Sequence, residues 1–270
     1  MNRFLSFIIA ILFLLTISCK PSSEAPPPTK AALSATTTAP ALVQQVDTSQ
    51  LRYIMGKFLP ETDSLFVAIP LAHADREGMY MRQEAYEAFI RMKNHAAQAG
   101  INLIIRSAAR NFNYQKGIWE RKWTGETKLS TGEDASTAFT EAKVRATEIL
   151  KYSSMPGTSR HHWGTDIDLN NFNNDWFEKG EGLELFTWLE AHAHKYGFCR
   201  PYTAKDSIRP DGYNEEKWHW SYTPLSNELT TIAENALTDS MIAGFLGSEV
   251  AEELDVVRKY VLGINHGCRH

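Results

Sequence analysis

In residues 83–99, QEAYEAFIRMKNHAAQA, the apolar positions Tyr86, Phe89, Ile90 and Ala97 recur at helical spacing, and Gly100 follows as a stop. Directly after it, INLIIRSAAR has the β-branched density of a buried strand. A second helix is predicted from about Thr137 to Leu150, and a third over LELFTWLEAHAHKYG, closing at Gly197. Short strands are predicted at TDIDLN and WHWSY, and SNELTTIAENAL and GSEVAEELDVVRKYVLG read as helices near the C-terminus. Helices and strands mix without a regular βαβ alternation or an internal repeat, which favours an α+β domain over a doubly wound parallel sheet. If TDIDLN is a strand, Asp166 and Asp168 point to one face and Ile167 and Leu169 to the other. Two carboxylates beside a core require a cation or a hydrogen-bond network.

The start of the chain has another texture. MNRFLSFIIAILFLLTISCK sets Arg3 before an apolar run from Phe4 to Ser18, the order of a secretory signal and short for a membrane span. With Ser18 directly before Cys19, the stretch resembles a bacterial lipoprotein signal, which implies lipidation of Cys19. The following residues, rich in Pro, Ser, Thr and Ala, lack the large apolar side chains that would offset the entropy of ordering, so they are expected to form a tether. The expected organisation is a signal over 1–19, a tether over 20–50, a folded domain over 51–224, and C-terminal helices with a tail over 225–270. An anchor followed by a tether would hold the domain at a membrane of the bacterial cell envelope, facing the periplasm or the cell exterior.

Over 270 residues, a 43% hydrophobic and 22% charged composition suits one principal core. A net charge of -4, without a basic stripe, argues against a nucleic-acid partner. With Cys19 assigned to the signal, Cys199 and Cys268 remain in an export compartment where pairing is permitted. Their positions do not decide whether they pair, and no Cys-x-x-Cys spacing suggests a zinc finger or a redox pair.

Candidate chemistry concentrates in GTSRHHWGTDIDLN, residues 157–170, and in NEEKWHWSY, which places Glu216 three positions before His219. His161, Asp168 and His219 would form a two-histidine, one-carboxylate set that leaves a fourth zinc position for water. Glu216 would be the nearby unligated carboxylate that accepts a proton from that water. Either half alone is weak, because histidines and aspartates often share loops simply by hydrogen bonding. Their joint occurrence, with Gly164 between the first two candidate ligands and tryptophans around the third, favours a metal. His162 is expected to point away from the ligands as a pocket wall. His192 and His194, two apart on a helix, do not share a face and read as surface or packing residues. The tail HGCRH contains soft ligand types but reads as a frayed terminus. Trp163, Trp218 and Trp220 would line a groove or belong to the core.

SRHHWGTDID is similar to the Ser-x-His-x-x-Gly-x-Ala-x-Asp signature of the VanY-type D-alanyl-D-alanine carboxypeptidases, and EKWH to their Glu-x-Trp-His signature, in the same order. SAARNFNYQ resembles the family's Ser-x-x-Arg-x-x-x-x-Gln element, and WLEAHAHKYGFCRPY the helix and strand before the last ligand, so the likeness covers roughly residues 75–223. The resemblance implies zinc held by His161, Asp168 and His219, with Glu216 as catalytic base and later proton donor. It gives Arg110 the binding of substrate and the stabilisation of the oxyanion, and it sets Ser159 and Gln115 in or beside the substrate site. It also implies a small α+β fold of the Hedgehog/DD-peptidase kind, with a central antiparallel sheet flanked by helices, and peptidoglycan stem peptides as substrates.

One position departs from the pattern: Asp166 stands where the family usually has alanine. It would orient a ligand histidine, meet a cationic group of the substrate, or be held by backbone amides or an arginine. The function implied is a zinc D-alanyl-D-alanine carboxypeptidase. The alternatives are an L,D-carboxypeptidase, an endopeptidase of the same fold, or a non-catalytic lipoprotein that binds cell-wall peptides. An unligated base beside a metal has no use in the last of these. The ligand types also suit divalent metals other than zinc.

Overall fold

The computed structural model describes residues 47–269. The expected signal with Cys19, and the expected tether as far as residue 46, lie outside them. A first helix, α1 (Thr48–Ile54), precedes a two-stranded antiparallel hairpin of β1 (Phe66–Ala68) and β2 (Tyr80–Arg82). Then come α2 (Gln83–Gln98), β3 (Ile105–Ser107), α3 (Phe112–Trp123), α4 (Ala135–Ala138), α5 (Ala142–Ile149) and β4 (Asp166–Leu169). The chain continues through α6 (Gly180–His192), β5 (Phe198–Cys199), β6 (His219–Tyr222), α7 (Thr223–Ala236) and α8 (Ala251–Leu254). The central sheet has the order β3-β4-β6-β5, and every neighbouring pair is antiparallel. This is the α+β architecture expected from the sequence.

The apolar residues form two cores, one of which packs on the sheet. Ile105, Ile167, Leu169, Trp218 and Trp220 pack with Ala85, Ala88, Phe89, Met92 and Ala96 of α2 and with Leu185 and Leu189 of α6. The apolar face of β4 is therefore the one predicted by alternation. The buried line of α2 is rotated from the predicted one: Ala97 is exposed and Ala96 is buried. The second core gathers Ile54, Trp119, Trp123, Ile149, Leu150, Trp163, Tyr202, Ala233, Leu237, Phe245 and Val257. Residues after Tyr222 thus pack as part of the same body as the sheet.

Three predicted helices differ in detail. The stretch 137–150 divides into α4 and α5, because the Glu141 carboxylate accepts the Lys143 and Val144 N–H groups at 3.2 and 3.1 Å and starts a new helix there. The third helix ends as α6 at His192 and closes in a 3-10 turn, Ala193–Tyr196, before Gly197 at φ 81°. The stretch 247–263 is not continuous: α8 stops at Asp255, whose φ of 55° leaves the helical region, and a π turn follows over Val257–Val261. Asp239 accepts the Val257 N–H at 2.8 Å, which supplies a side-chain partner where the helix is interrupted. The tail is not frayed. Ile264 and Cys268 are buried, the Asn265 N–H donates to the Pro201 carbonyl at 2.8 Å, and Cys268 is disulfide-bonded to Cys199 on β5.

Candidate metal centre

Strand register brings the polar residues together. Antiparallel β4 and β6 set Asp168 opposite His219 and Asp166 opposite Ser221. Ladder bonds from the Leu169 N–H to the Trp218 carbonyl and from the Tyr222 N–H to the Thr165 carbonyl bracket them. Both pairs therefore occupy the positions between ladder bonds, where facing side chains approach most closely. A 3-10 turn, Arg160–Trp163, presents the remaining histidine. Gly164 ends that turn at φ 70°, and a Cβ there would lie 2.2 Å from the Phe66 ring, so the turn needs glycine twice over.

His161, Asp168 and His219 are all buried, and one ligand atom from each lies within 4.8 Å of the other two. The Nδ1 of His161 is 2.8 Å from the Ala108 carbonyl, which only accepts, so Nδ1 carries the proton and Nε2 is left bare. Burial, followed by the nearby Arg110 charge, pushes this imidazole's pKa down and keeps it neutral. On His219 the arrangement is reversed: Nε2 donates to Asp166 Oδ2 at 2.8 Å, leaving Nδ1 toward Asp168 Oδ1 and Glu216 Oε2, each at 3.3 Å. His161 Nε2 and Asp168 Oδ1 are buried without any hydrogen-bond partner. Two unpartnered lone-pair atoms beside a third, with each imidazole fixed from behind, fit a zinc ion.

Asp166 is held more firmly than any other acid in the site. Its Oδ1 accepts from the Thr165 and Ser221 hydroxyls at 2.8 and 2.7 Å, and its Oδ2 accepts from Arg160 Nε at 3.1 Å as well as from His219. Burial opposes its ionisation, but the Arg160 charge and then His219 outweigh that and hold it below the usual carboxylate range. Arg160 is itself fully buried: it stacks 4.4 Å over the Trp163 ring and donates to Ser221 and to Thr230 of α7. Of the roles open to Asp166, the contacts fit orientation of the candidate ligand His219, with Arg160 as its counter-ion.

Glu216 reaches the site from the loop before β6, where its N–H donates to the Tyr202 carbonyl at 2.9 Å. Only 6% of the residue is exposed, and burial pushes its carboxyl pKa up, against the pull of His219. Arg110 follows β3; its Nη1 lies 3.3 Å from Ser107 Oγ and 3.9 Å from Asp168 Oδ2. These side chains open into a cleft of ≈ 1020 Å³ that Ser159, Gln115, Tyr152 and Trp218 also line. Ser159 Oγ and Gln115 Oε1 are buried there without partners, while Gln115 Nε2 donates to the Ser154 carbonyl at 2.8 Å. Trp163 and Trp220 belong to the two cores rather than to the cleft, and Trp218 serves both.

His162 is not a pocket wall. It turns behind the site, where Nδ1 donates to the Arg110 carbonyl at 2.6 Å and Nε2 accepts the Gly157 N–H at 3.0 Å. Burial pushes its pKa down to about 3, so it stays neutral while it fixes the backbone under Arg110. His192 packs against the Trp188 and His95 rings, as the sequence suggested for a packing residue. Two residues of the site had escaped notice. Arg160 hides in the variable place between Ser159 and His161, and Lys122 lies on α3 seven positions beyond Gln115, a spacing that returns to the same helix face.

The chain matches the family model VanY, D-alanyl-D-alanine carboxypeptidase, over residues 78–225. The D-alanyl-D-alanine carboxypeptidase of Enterococcus faecalis is 30% identical over 131 residues, which are 48% of this chain and 44% of that protein. The chain spans about half the length of the curated relatives it matches. Among solved structures, VanYB in complex with D-alanine-D-alanine is 21% identical with a TM-score of 0.47, covering 64% of this chain and 85% of that one. The LD-carboxypeptidase LdcB is 22% identical with a TM-score of 0.47, covering 76% and 81%. These two likenesses are loose, and the family match does not depend on them. That match runs from before β2 to the start of α7 and contains every candidate ligand, so the chain belongs to the VanY D-alanyl-D-alanine carboxypeptidase family.

Proposed function

We propose that this protein is a zinc-dependent peptidase of peptidoglycan stem peptides that removes the terminal residue of a D-alanyl-D-alanine end. The observation that carries this is the convergence of the three ligand atoms of His161, Asp168 and His219 beside a buried Glu216 carboxylate that is free to move a proton. His161 Nε2, the Asp168 carboxylate and His219 Nδ1 would hold the metal. Zinc, when bound, supplies a Lewis acid that polarises the scissile carbonyl and lowers the pKa of a water.

Glu216 takes a proton from the attacking water, and its raised pKa suits a group that must then return that proton to the leaving amine. Arg110, a permanently charged fork with 18% of its side chain exposed to the cleft, faces the developing oxyanion. The unpaired Ser159 Oγ and Gln115 Oε1 offer hydrogen bonds to the peptide.

The substrate bond is read from products. Zinc-loaded protein given a stem pentapeptide should release one D-alanine, seen by mass spectrometry, and a chelator should stop the release. Cleavage only of the tetrapeptide would make the enzyme an L,D-carboxypeptidase, and two peptide fragments would make it an endopeptidase. No cleavage with stoichiometric zinc bound would support a binding protein.

The same proposal places the protein at the bacterial cell envelope, anchored by a lipid on Cys19 and facing the periplasm or cell exterior. The apolar run that ends in Ser18 before Cys19 supports it. Cys19→Ser should abolish incorporation of a labelled fatty acid; undiminished labelling would rule Cys19 out as the lipidated residue.

A further inference from the structure

Three lysines line the cleft: Lys122, Lys128 and Lys151. Two of them have acidic partners and stand well out in solvent. Lys128 pairs with Asp134 at 3.0 Å and Lys151 with Glu148 at 2.6 Å, with 56% and 43% of their side chains exposed. Lys122 is unlike them. Burial pushes its pKa down, and among the described residues it forms no ion pair. Its hydrogen bond is to Ser153 Oγ at 2.6 Å. An ammonium group has three N–H donors, so two directions remain for a ligand.

A half-buried cation that forms no ion pair is stabilised by an anion arriving beside it. The position of Lys122 suggests which anion. Gln115 and Lys122 lie on one face of α3, about 10 Å apart along its axis. Arg110 precedes the same helix and lines the same cleft, and Gln115 and Lys122 bond the neighbouring Ser154 carbonyl and Ser153 hydroxyl. Glu216 and Arg110 line the same cleft as Lys122. A carboxypeptidase must meet two anionic groups, the oxyanion at the scissile carbonyl and a substrate carboxylate. Arg110, close to Asp168, is placed for the first.

We propose that Lys122 Nζ, with Ser153 Oγ beside it, is a carboxylate-binding subsite of the cleft, distinct from Arg110. The proposal rests on the peptidase assignment above and names the substrate group that this second cation receives. The carboxylate has two sources in a stem peptide: the C-terminus, or a free carboxyl on a side group.

Binding separates the two sources without needing turnover. In zinc-loaded Glu216→Gln protein, calorimetry would compare a stem pentapeptide with its C-terminal amide and with the peptide amidated at its side-group carboxyl. One amidation should weaken binding by about 10- to 100-fold, the range for a hydrogen bond to a charged group. Adding Lys122→Met should remove the difference between acid and amide, and Lys122→Arg should restore part of it. The sensitive amidation identifies the carboxylate.

Methionine keeps the aliphatic stem and removes an unpaired charge, so the melting temperature and zinc content should not fall. The proposal is overturned if the Lys122→Met protein still tells acid from amide as well as its parent does. It is overturned equally if the parent binds all three peptides alike or binds none. Failure of the unsubstituted protein to cleave any stem peptide would sink the hydrolytic assignment instead, while these affinities would still decide the role of Lys122.

Discussion

Glu216→Gln is expected to lower kcat on a stem peptide by about 10³-fold, within the range of general acid–base catalysis, while zinc stays bound at one per chain. Glutamine has almost the shape of glutamate and keeps a carbonyl oxygen near His219, but it does not accept a proton from water. The loop that carries residue 216 is held by its own N–H to the Tyr202 carbonyl, which the substitution leaves in place. The three ligand atoms belong to other residues. A loss of rate with full zinc content, measured by kinetics alongside metal analysis, therefore isolates the proton-transfer role. Loss of zinc together with activity would make Glu216 a ligand, and retained activity would move the base to another residue.

The candidate metal site was legible because its residues are written in local spacings. His161, Gly164 and Asp168 come from one turn entering one strand, and Glu216 and His219 from one loop entering the next. Alternation along TDIDLN already separated Asp166 and Asp168 from Ile167 and Leu169. What spacing did not carry was the pairing of that strand with β6, since register depends on both strands and on the apolar faces they share. The same limit hid Arg160, whose partners Asp166, Ser221 and Thr230 are brought to it only by the fold. The helix errors are local competitions won by side chains: Glu141 restarts a helix by capping it, and Asp255 ends one in a left-handed conformation. The tail looked frayed because its few apolar residues are sparse, yet one disulfide to β5 and one backbone bond to Pro201 fix it. An export compartment would permit that pairing, and the fold brings the two cysteines together.

Asp166→Ala is expected to act on stability and on zinc affinity at once, by separable routes. Removing the carboxylate leaves the Arg160 guanidinium wholly buried with only neutral partners, a change that typically costs about 3–5 kcal/mol. It also removes the acceptor from His219 Nε2, so the ring is no longer held with Nδ1 toward the metal, and loss of such a partner lowers metal affinity by about 10- to 100-fold. Adding Arg160→Met separates the routes. The orphaned charge disappears, so much of the lost stability should return in denaturant titration, while zinc affinity, measured by competition with a chelator, should stay low. If affinity recovered together with stability, Asp166 would serve the metal only through general rigidity; if neither single nor double substitution altered affinity, it would not orient His219. The network has a longer reach than the metal site. Arg160 also donates to Thr230, and the Ser221 hydroxyl that bonds Asp166 lies 3.0 Å from Ser226 Oγ. Both residues are on α7, past the end of the family match at 225. The segment after β6 thus buttresses the ion pair behind His219, and in this chain the helix that follows the family signature is part of what holds that candidate ligand in place.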